Sequence, residues 1–450
     1  MTNLKLILQP LQRGVATSGA ADIHVLVRLQ APERPTDTNQ ARTPLHIAVV
    51  LDRSGSMSGR PLHEACRCAS AIAERLVAGD HLAVITYDDR IQVLRPCSPV
   101  SNLSSLKDEI HSITAGGYTN LHGGWAAGIE ALRQAHHAEV ISRVLLLSDG
   151  AANKGITDPA TLASAAQAAA SEGMSTSTYG LGQEFSEGLM TTMANSGGGR
   201  SYYGDSAEDL LDPFMEEFDL LSNLVARKVT VSWEAPEGWT LTQMNGYALA
   251  EPGHWSMPDL AYQSEAWVMF RLQGPVGAAP GGALDLGRIK ITWQDTQGKA
   301  MESLSLPFSL PVVASEAIPL LPKDPMVANR LAELRIGQLQ ELAHHAAQVE
   351  DWNLVRVYLD EMRTLAADHP WSKAVVEELT SLMEKREYRS LSKEFRYGSM
   401  GSGSRLTDVE EDLLRPSGSS YTRRKPRQGK AMPPDEQPPQ DPKNTTQGDS

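Results

Sequence analysis

Cysteine is almost absent from this chain of 450 residues: three occur, at Cys66, Cys68 and Cys97. Cys66 and Cys68 stand two apart within a helical pattern and so point to different faces, which excludes a disulfide framework or a metal knuckle built on that pair. Such sparse use fits a reducing compartment. No apolar run is long enough to cross a bilayer, and the first residues, MTNLKLILQPLQRG, lack the apolar core and small-residue cleavage site of a signal peptide. A cytoplasmic protein without a membrane span is therefore expected. A basic surplus is missing as well. The formal net charge of −14 argues against coating nucleic acid, because phosphate binding needs a basic face.

Several enzyme signatures are missing too. No G-x-x-x-x-G-K-[ST] run is present to hold a nucleotide triphosphate. The stretch GSMSG, Gly55 to Gly59, has Met57 where a hydrolase elbow needs its serine. An aspartate-based phosphatase would carry a second aspartate two residues after Asp52, and this chain carries Ser54 there.

What is present is a hydrophobic content of 41%, enough for a sizeable core and more than one domain. From Leu45 to about Tyr203, apolar β-type runs (LHIAVVL, HLAVITY, IQVLRPC, RVLLLS, MSTSTYG, SYYG) alternate with amphipathic helical stretches. That alternation predicts an α/β fold with a doubly wound, mostly parallel sheet over residues 43–223. Strand patterns alone flank it, LKLILQPL and ADIHVLVRLQ before, KVTVSWEAP through SLSLPFSLPVV after. Two strands are too few for an independent sheet. Segments 1–42 and 224–314 are therefore expected to form one discontinuous β-sandwich into which the α/β domain is inserted. Helical spacing over 324–397 predicts a hairpin or bundle, and the Gly, Ser and Pro-rich segment 398–450 reads as a disordered tail.

In an open parallel sheet, ligands bind beyond the carboxyl ends of the strands where the strand order reverses. Asp52 ends one apolar strand, in LHIAVVLDRSGSMSG, and Asp149 ends another, in RVLLLSDG. Between them, TAGGYTNLHGG places Thr119 before a helix with glycines that allow close backbone approach. If those two strands are neighbours, Asp52, Ser54, Ser56, Thr119 and Asp149 converge. An all-oxygen set of hydroxyls and carboxylates suits a hard divalent cation, whereas zinc prefers nitrogen and sulfur.

These residues carry a resemblance. The Asp-x-Ser-x-Ser form of DRSGS, with Thr119 in GGYTNL and Asp149 in LLLSDG, resembles the metal-ion-dependent adhesion site of von Willebrand factor type A domains, over roughly Pro44 to Ser222. TYGLGQEFSEGLMTTMANSGGGRSYYG resembles the end of bacterial versions, and the flanking segments are similar to proteins described as calcium-activated chloride channel homologues. The resemblance implies Ser54, Ser56 and Thr119 as direct metal ligands and Asp52 and Asp149 as anchoring carboxylates. It implies Mg²⁺, with Mn²⁺ or Ca²⁺ as substitutes, in a non-enzymatic scaffold or adaptor that captures an acidic residue of a protein partner. Two other readings use the same crevice: a metal-assisted hydrolase or phosphatase, which lacks an evident general base, and a scaffold in a kinase and phosphatase stress pathway.

Other conspicuous residues have plainer readings. The adjacent pairs His136–His137 and His344–His345 split between helix faces and read as surface or cap residues. Asp88 and Asp89 read as a turn after HLAVITY, at the rim of the expected site. The tryptophans at 233, 239, 255, 267 and 293 read as sandwich packing, and Asp351 with Trp352 as a helix cap and an anchor.

Overall fold

The computed structural model describes residues 3–408, apart from 18, 35–41, 138, 183–184, 205–206, 277–278, 297–299, 367–369 and 405–406. Six strands build the α/β domain: Leu45–Asp52, His81–Tyr87, Ile91–Pro99, Ile141–Ser148, Met174–Leu181 and Gly198–Gly204. Counted in chain order, they lie across the sheet as third, second, first, fourth, fifth and sixth. All neighbours pair in parallel except the third strand, which is antiparallel at the edge. The order reverses between the first and fourth strands, so the ends of these two, Asp52 and Ser148–Asp149, share one crevice.

Both strands are buried along their whole length, which is why they read as continuous apolar runs rather than alternating ones. Leu45, Ile47, Val49 and Leu51 pack under the helices Arg60–Arg75 and Leu211–Ser222. Ala48 and Val50 turn the other way, under Leu121–Ala135, Pro159–Ser171 and Glu187–Ser196. The helix Leu121–Ala135 approaches the sheet closely because of two glycines. A Cβ at Gly124 would stand 2.4 Å from Tyr87 Cδ1, and one at Gly128 2.6 Å from Val50 Cγ2. Gly124→Ala is thus expected to destabilise the domain by about 1–3 kcal/mol through overpacking, outweighing the ~1 kcal/mol helix preference of alanine; chemical denaturation measures it.

The flanking strands form the sandwich. In one sheet Lys5–Pro10, Ala20–Gln30, Ser264–Pro275 and Thr240–Gln243 are successive neighbours. Ala20–Gln30 pairs antiparallel with Ser264–Pro275 from Ala20↔Pro275 to Gln30↔Glu265, so the N-terminal strands complete the later set as expected. The pairing is stapled by buried Arg28, which donates from Nε and Nη2 to Glu265 at 2.9 and 2.7 Å. The facing sheet is built on Leu224–Glu234, Ala283–Asp295 and Met301–Val313, and the two share one core containing Val25, Val27, Val268, Phe270, Val231, Ile289, Trp233 and Trp293. Trp267 departs from the expectation of sandwich packing. It lies on the outer face, beneath Val327 and Leu334, with the Arg330 guanidinium 4.8 Å from its ring.

Among the described residues the helical region comprises Pro325–Gln348, Trp352–Ala366, Pro370–Glu384 and Tyr388–Ser404. Asp351 caps the second through Leu354 N–H, and Trp352 stacks on Tyr388 at 4.0 Å. The expectation of a disordered tail from 398 needs correction at its start. The last helix runs on through GSMGSGS to Ser404, and Thr407–Asp408 pairs with Ser264 and Glu265; packing of Leu391 and Phe395 in the bundle core overrides the weak helix propensity of glycine and serine. Residues 409–450 lie outside the described residues. No helix among the described residues is long and apolar enough to cross a membrane.

Candidate metal centre

All five expected residues stand at the carboxyl end of the sheet, on three loops. Asp52, 0% exposed, accepts from Ser54 N–H at 2.8 Å through Oδ1 and from Ser148 Oγ at 2.7 Å through Oδ2. Ser54 Oγ and Ser56 Oγ are 3.1 Å apart, and Ser56 Oγ donates to Asp149 Oδ1 at 2.7 Å. Thr119 Oγ1 and Ser56 Oγ each lie 3.5 Å from the point where a Gly150 Cβ would stand. The hydroxyls of two separate loops therefore face one small space, and Gly150 keeps it open.

Backbone bonds lock the loops together. Gly55 N–H donates to Gly117 O at 3.2 Å, Gly116 N–H to Arg53 O at 2.8 Å, and Asn153 N–H to Thr119 O at 3.2 Å. Gly117 has φ of +78° and its missing Cβ would meet Asp89 Oδ1 at 2.2 Å, so a side chain there is excluded on both counts. Asp88 is more than a solvated turn: it is buried, ion-paired to Arg53 at 3.1 Å, and accepts from Arg90 N–H at 2.7 Å.

Sequence reasoning missed two supporting residues. Ser148 holds the second Asp52 oxygen, and the Asn153 side chain accepts from Thr119 N–H at 2.9 Å. The signal for Ser148 was its position, a hydroxyl closing an otherwise apolar buried strand that needs a polar partner inside. Asn153 sits in a polar loop and left no comparable mark.

Electrostatically the crevice holds two carboxylates with too little solvent. Burial raises the Asp52 pKa, against the donors Ser148 and Ser54. Burial also pushes Asp149 up to about 6, with the Ser56 hydrogen bond opposing and the Asp52 charge adding to it. Desolvated like charges disfavour the ionised forms, and a cation between them would reverse that. The donor set, three hydroxyls backed by two carboxylates, fits a hard divalent ion.

The sequence profile of the von Willebrand factor type A domain matches residues 46–216. This part of the chain is a von Willebrand factor type A domain. Among curated relatives, the Synechocystis protein sll0103 is 26% identical over 328 residues, 69% of this chain and 75% of its own length. YfbK of Escherichia coli is 29% identical over 43% of this chain, and human inter-alpha-trypsin inhibitor heavy chain H3 is 30% identical over 39%. The match spans only 34% and 21% of the length of these last two. Two solved structures share the fold across more than the type A domain. A von Willebrand factor type A protein from Catenulispora acidiphila has a TM-score of 0.69 at 16% identity, covering 90% of this chain and 97% of its own. The ArnB paralog VWA2 from Sulfolobus acidocaldarius has 0.59 at 17%, covering 88% and 99%.

Proposed function

We propose that this protein is a non-enzymatic interaction module whose type A domain uses Mg²⁺ to capture an acidic side chain of a protein partner. The observation that carries the reading is the convergence of Ser54, Ser56 and Thr119 hydroxyls on one solvent-reachable space in front of Asp52 and Asp149. The three hydroxyls would hold the cation directly and the two carboxylates would anchor it. Because neutral ligands leave much of its charge uncompensated, the ion supplies an electrophilic position for an incoming carboxylate.

The surroundings suit docking. Tyr118, 67% exposed, adjoins Thr119, and exposed Ile156 follows the Asn153 loop. Both present apolar surface beside the crevice, and aromatic anchors close to the centre of an interface contribute most to its affinity. Tyr118→Ala is expected to weaken partner capture by about 10-fold or more while leaving Mg²⁺ affinity unchanged, as read by calorimetry. The site stands at the end of the domain away from the sandwich, since the opposite end of the sheet is tied down by Thr43 Oγ1 donating to Thr296 O and Arg227 to Val140 O. The sandwich thus serves as a platform that leaves the metal crevice free.

Proton competition gives the reading a pH signature. The metal-free Asp149 pKa is raised from 3.8 to about 6, so below that pH the cation must displace a proton. Mg²⁺ affinity is expected to be level above pH 7 and to fall by up to about tenfold per unit below 6. Stability follows the same sign. Metal-free, the raised Asp149 favours folding most at low pH and this contribution is lost as pH rises through about 6; added Mg²⁺ should therefore raise the unfolding midpoint more at pH 7.5 than at pH 5.

The test of function is affinity capture from lysate of the source cells in Mg²⁺ and in chelator, with Ser54→Ala combined with Ser56→Ala as control. A partner held only in Mg²⁺ and only by the unaltered site supports the proposal; a partner that binds equally in chelator removes it.

A further inference from the structure

At the other end of the same sheet, three metal-ligating side chains meet. His46 lies near the start of the first α/β strand, His81 starts the second and is its register partner, and Cys97 lies on the third, at the sheet edge. A ring nitrogen of each imidazole and the Cys97 sulfur all lie within 4.8 Å of one another. The two rings are stacked, 4.2 Å between centroids and 3° from parallel. His46 is 2% exposed. Nδ1 of His46 and Nδ1 of His81 are both sealed from solvent and have no hydrogen-bond partner among the described residues. Buried polar nitrogens are ordinarily bonded, so two such atoms on a pair of stacked rings, with a thiol beside the rings, are either a packing cost or an incomplete ligand set.

We propose that His46, His81 and Cys97 form a second metal site, selective for Zn²⁺ and separate from the adhesion-type crevice. Imidazole and thiolate are the ligands a borderline-soft ion prefers, and Mg²⁺ does not compete for them. Burial, with the neighbouring His81, His137 and His136, pulls His46 down to about 4, which leaves the ring neutral and a lone pair available at neutral pH. Burial pushes the Cys97 thiol up to about 11, so binding must expel its proton: one Zn–S bond forms, one S–H bond breaks, and the proton goes to solvent with no change of oxidation state. Ligand atoms round a tetrahedral zinc stand about 3.4 Å apart, so the rings must turn out of their stack and the sulfur move in. The irregular pairing between the second and third strands from Leu82 to Ile85, at the edge of the sheet among the described residues, gives room for that. Water fills the fourth position, or His137, whose ring meets His46 edge-on at 5.7 Å. The ion would tie the edge strand to the centre of the sheet where the domain joins the sandwich.

Cobalt replaces zinc in such sites and reports on its ligands, because a thiolate bound to Co²⁺ gives a near-ultraviolet charge-transfer band and oxygen ligands do not. The full chain is titrated with Co²⁺ and its zinc content measured after incubation with Zn²⁺ and desalting. The expected result is a charge-transfer band in the unaltered chain and in the Ser54→Ala, Ser56→Ala form. Cys97→Ser and His81→Gln, each checked for folding by circular dichroism, lose the band and retain one zinc fewer per chain. A folded unaltered chain without the band overturns the proposal, as does a band that survives in Cys97→Ser, which would place the metal on Cys66 or Cys68.

Discussion

Replacing Ser54 and Ser56 together by alanine is expected to abolish Mg²⁺ binding, with affinity falling by at least about 100-fold, the upper end of what the loss of a supporting partner alone costs. The two oxygens proposed as direct ligands disappear. The fold should hardly notice. The two hydroxyls bond to each other at 3.1 Å, Ser56 alone also donates to half-exposed Asp149 at 2.7 Å, and removing both members of a bonded pair leaves less unsatisfied than removing one. Asp52→Ala is a poorer instrument, because it strands the Ser54 N–H in the interior, at about 1–3 kcal/mol for an unsatisfied group, and leaves Ser148 Oγ only the 3.2 Å bond to Gly150 O. Calorimetric titration with Mg²⁺ alongside thermal unfolding separates the two variants.

The largest expected loss of stability lies elsewhere in the domain. Glu217, fully buried, accepts from Arg143 Nη1 at 2.5 Å, Ser177 Oγ at 2.8 Å and Tyr202 Oη at 2.7 Å. Burial by itself would raise its pKa, but Arg143, Arg200 and these donors outweigh it and hold the carboxyl below its usual value. Glu217→Ala removes the charge that balances buried Arg143, and the structure offers that guanidinium little else. A loss of about 3–5 kcal/mol is expected, enough to consume a large share of a domain's stability; denaturant unfolding measures it. Because the folded-state pKa is depressed, this stabilisation is complete above the unfolded pKa and disappears as pH falls through the folded one. The helix Leu211–Ser222 is thereby pinned to the sheet by charge as well as by Phe214 and Phe218.

Much of this architecture was legible because it repeats simple periods. Strands such as LHIAVVLD and RVLLLS, buried on both faces, announce a parallel sheet, and the aspartates that end them fall at the switch point by topology alone. The insertion into a sandwich could be reasoned from a count of strands, and Ala20–Gln30 pairs with Ser264–Pro275 accordingly. What escaped depended on tertiary neighbours. The position of Trp267 under the helices, the persistence of helix through GSMGSGS, and the meeting of His46, His81 and Cys97 across three strands have no local signature. Register decides them, and register becomes visible only when the strands are side by side. The same limit hid the support from Asn153 to Thr119.

The central claim is that five oxygen-bearing side chains hold one divalent cation at the outer end of the type A domain. Anomalous diffraction from crystals soaked in Mn²⁺ tests it most directly. The account predicts a peak among Ser54, Ser56 and Thr119 Oγ atoms, at about 2.1 Å as expected for a hard cation of this size, with Asp52 and Asp149 behind it. Saturating Mn²⁺ with no density at that position in an otherwise ordered crevice would contradict it.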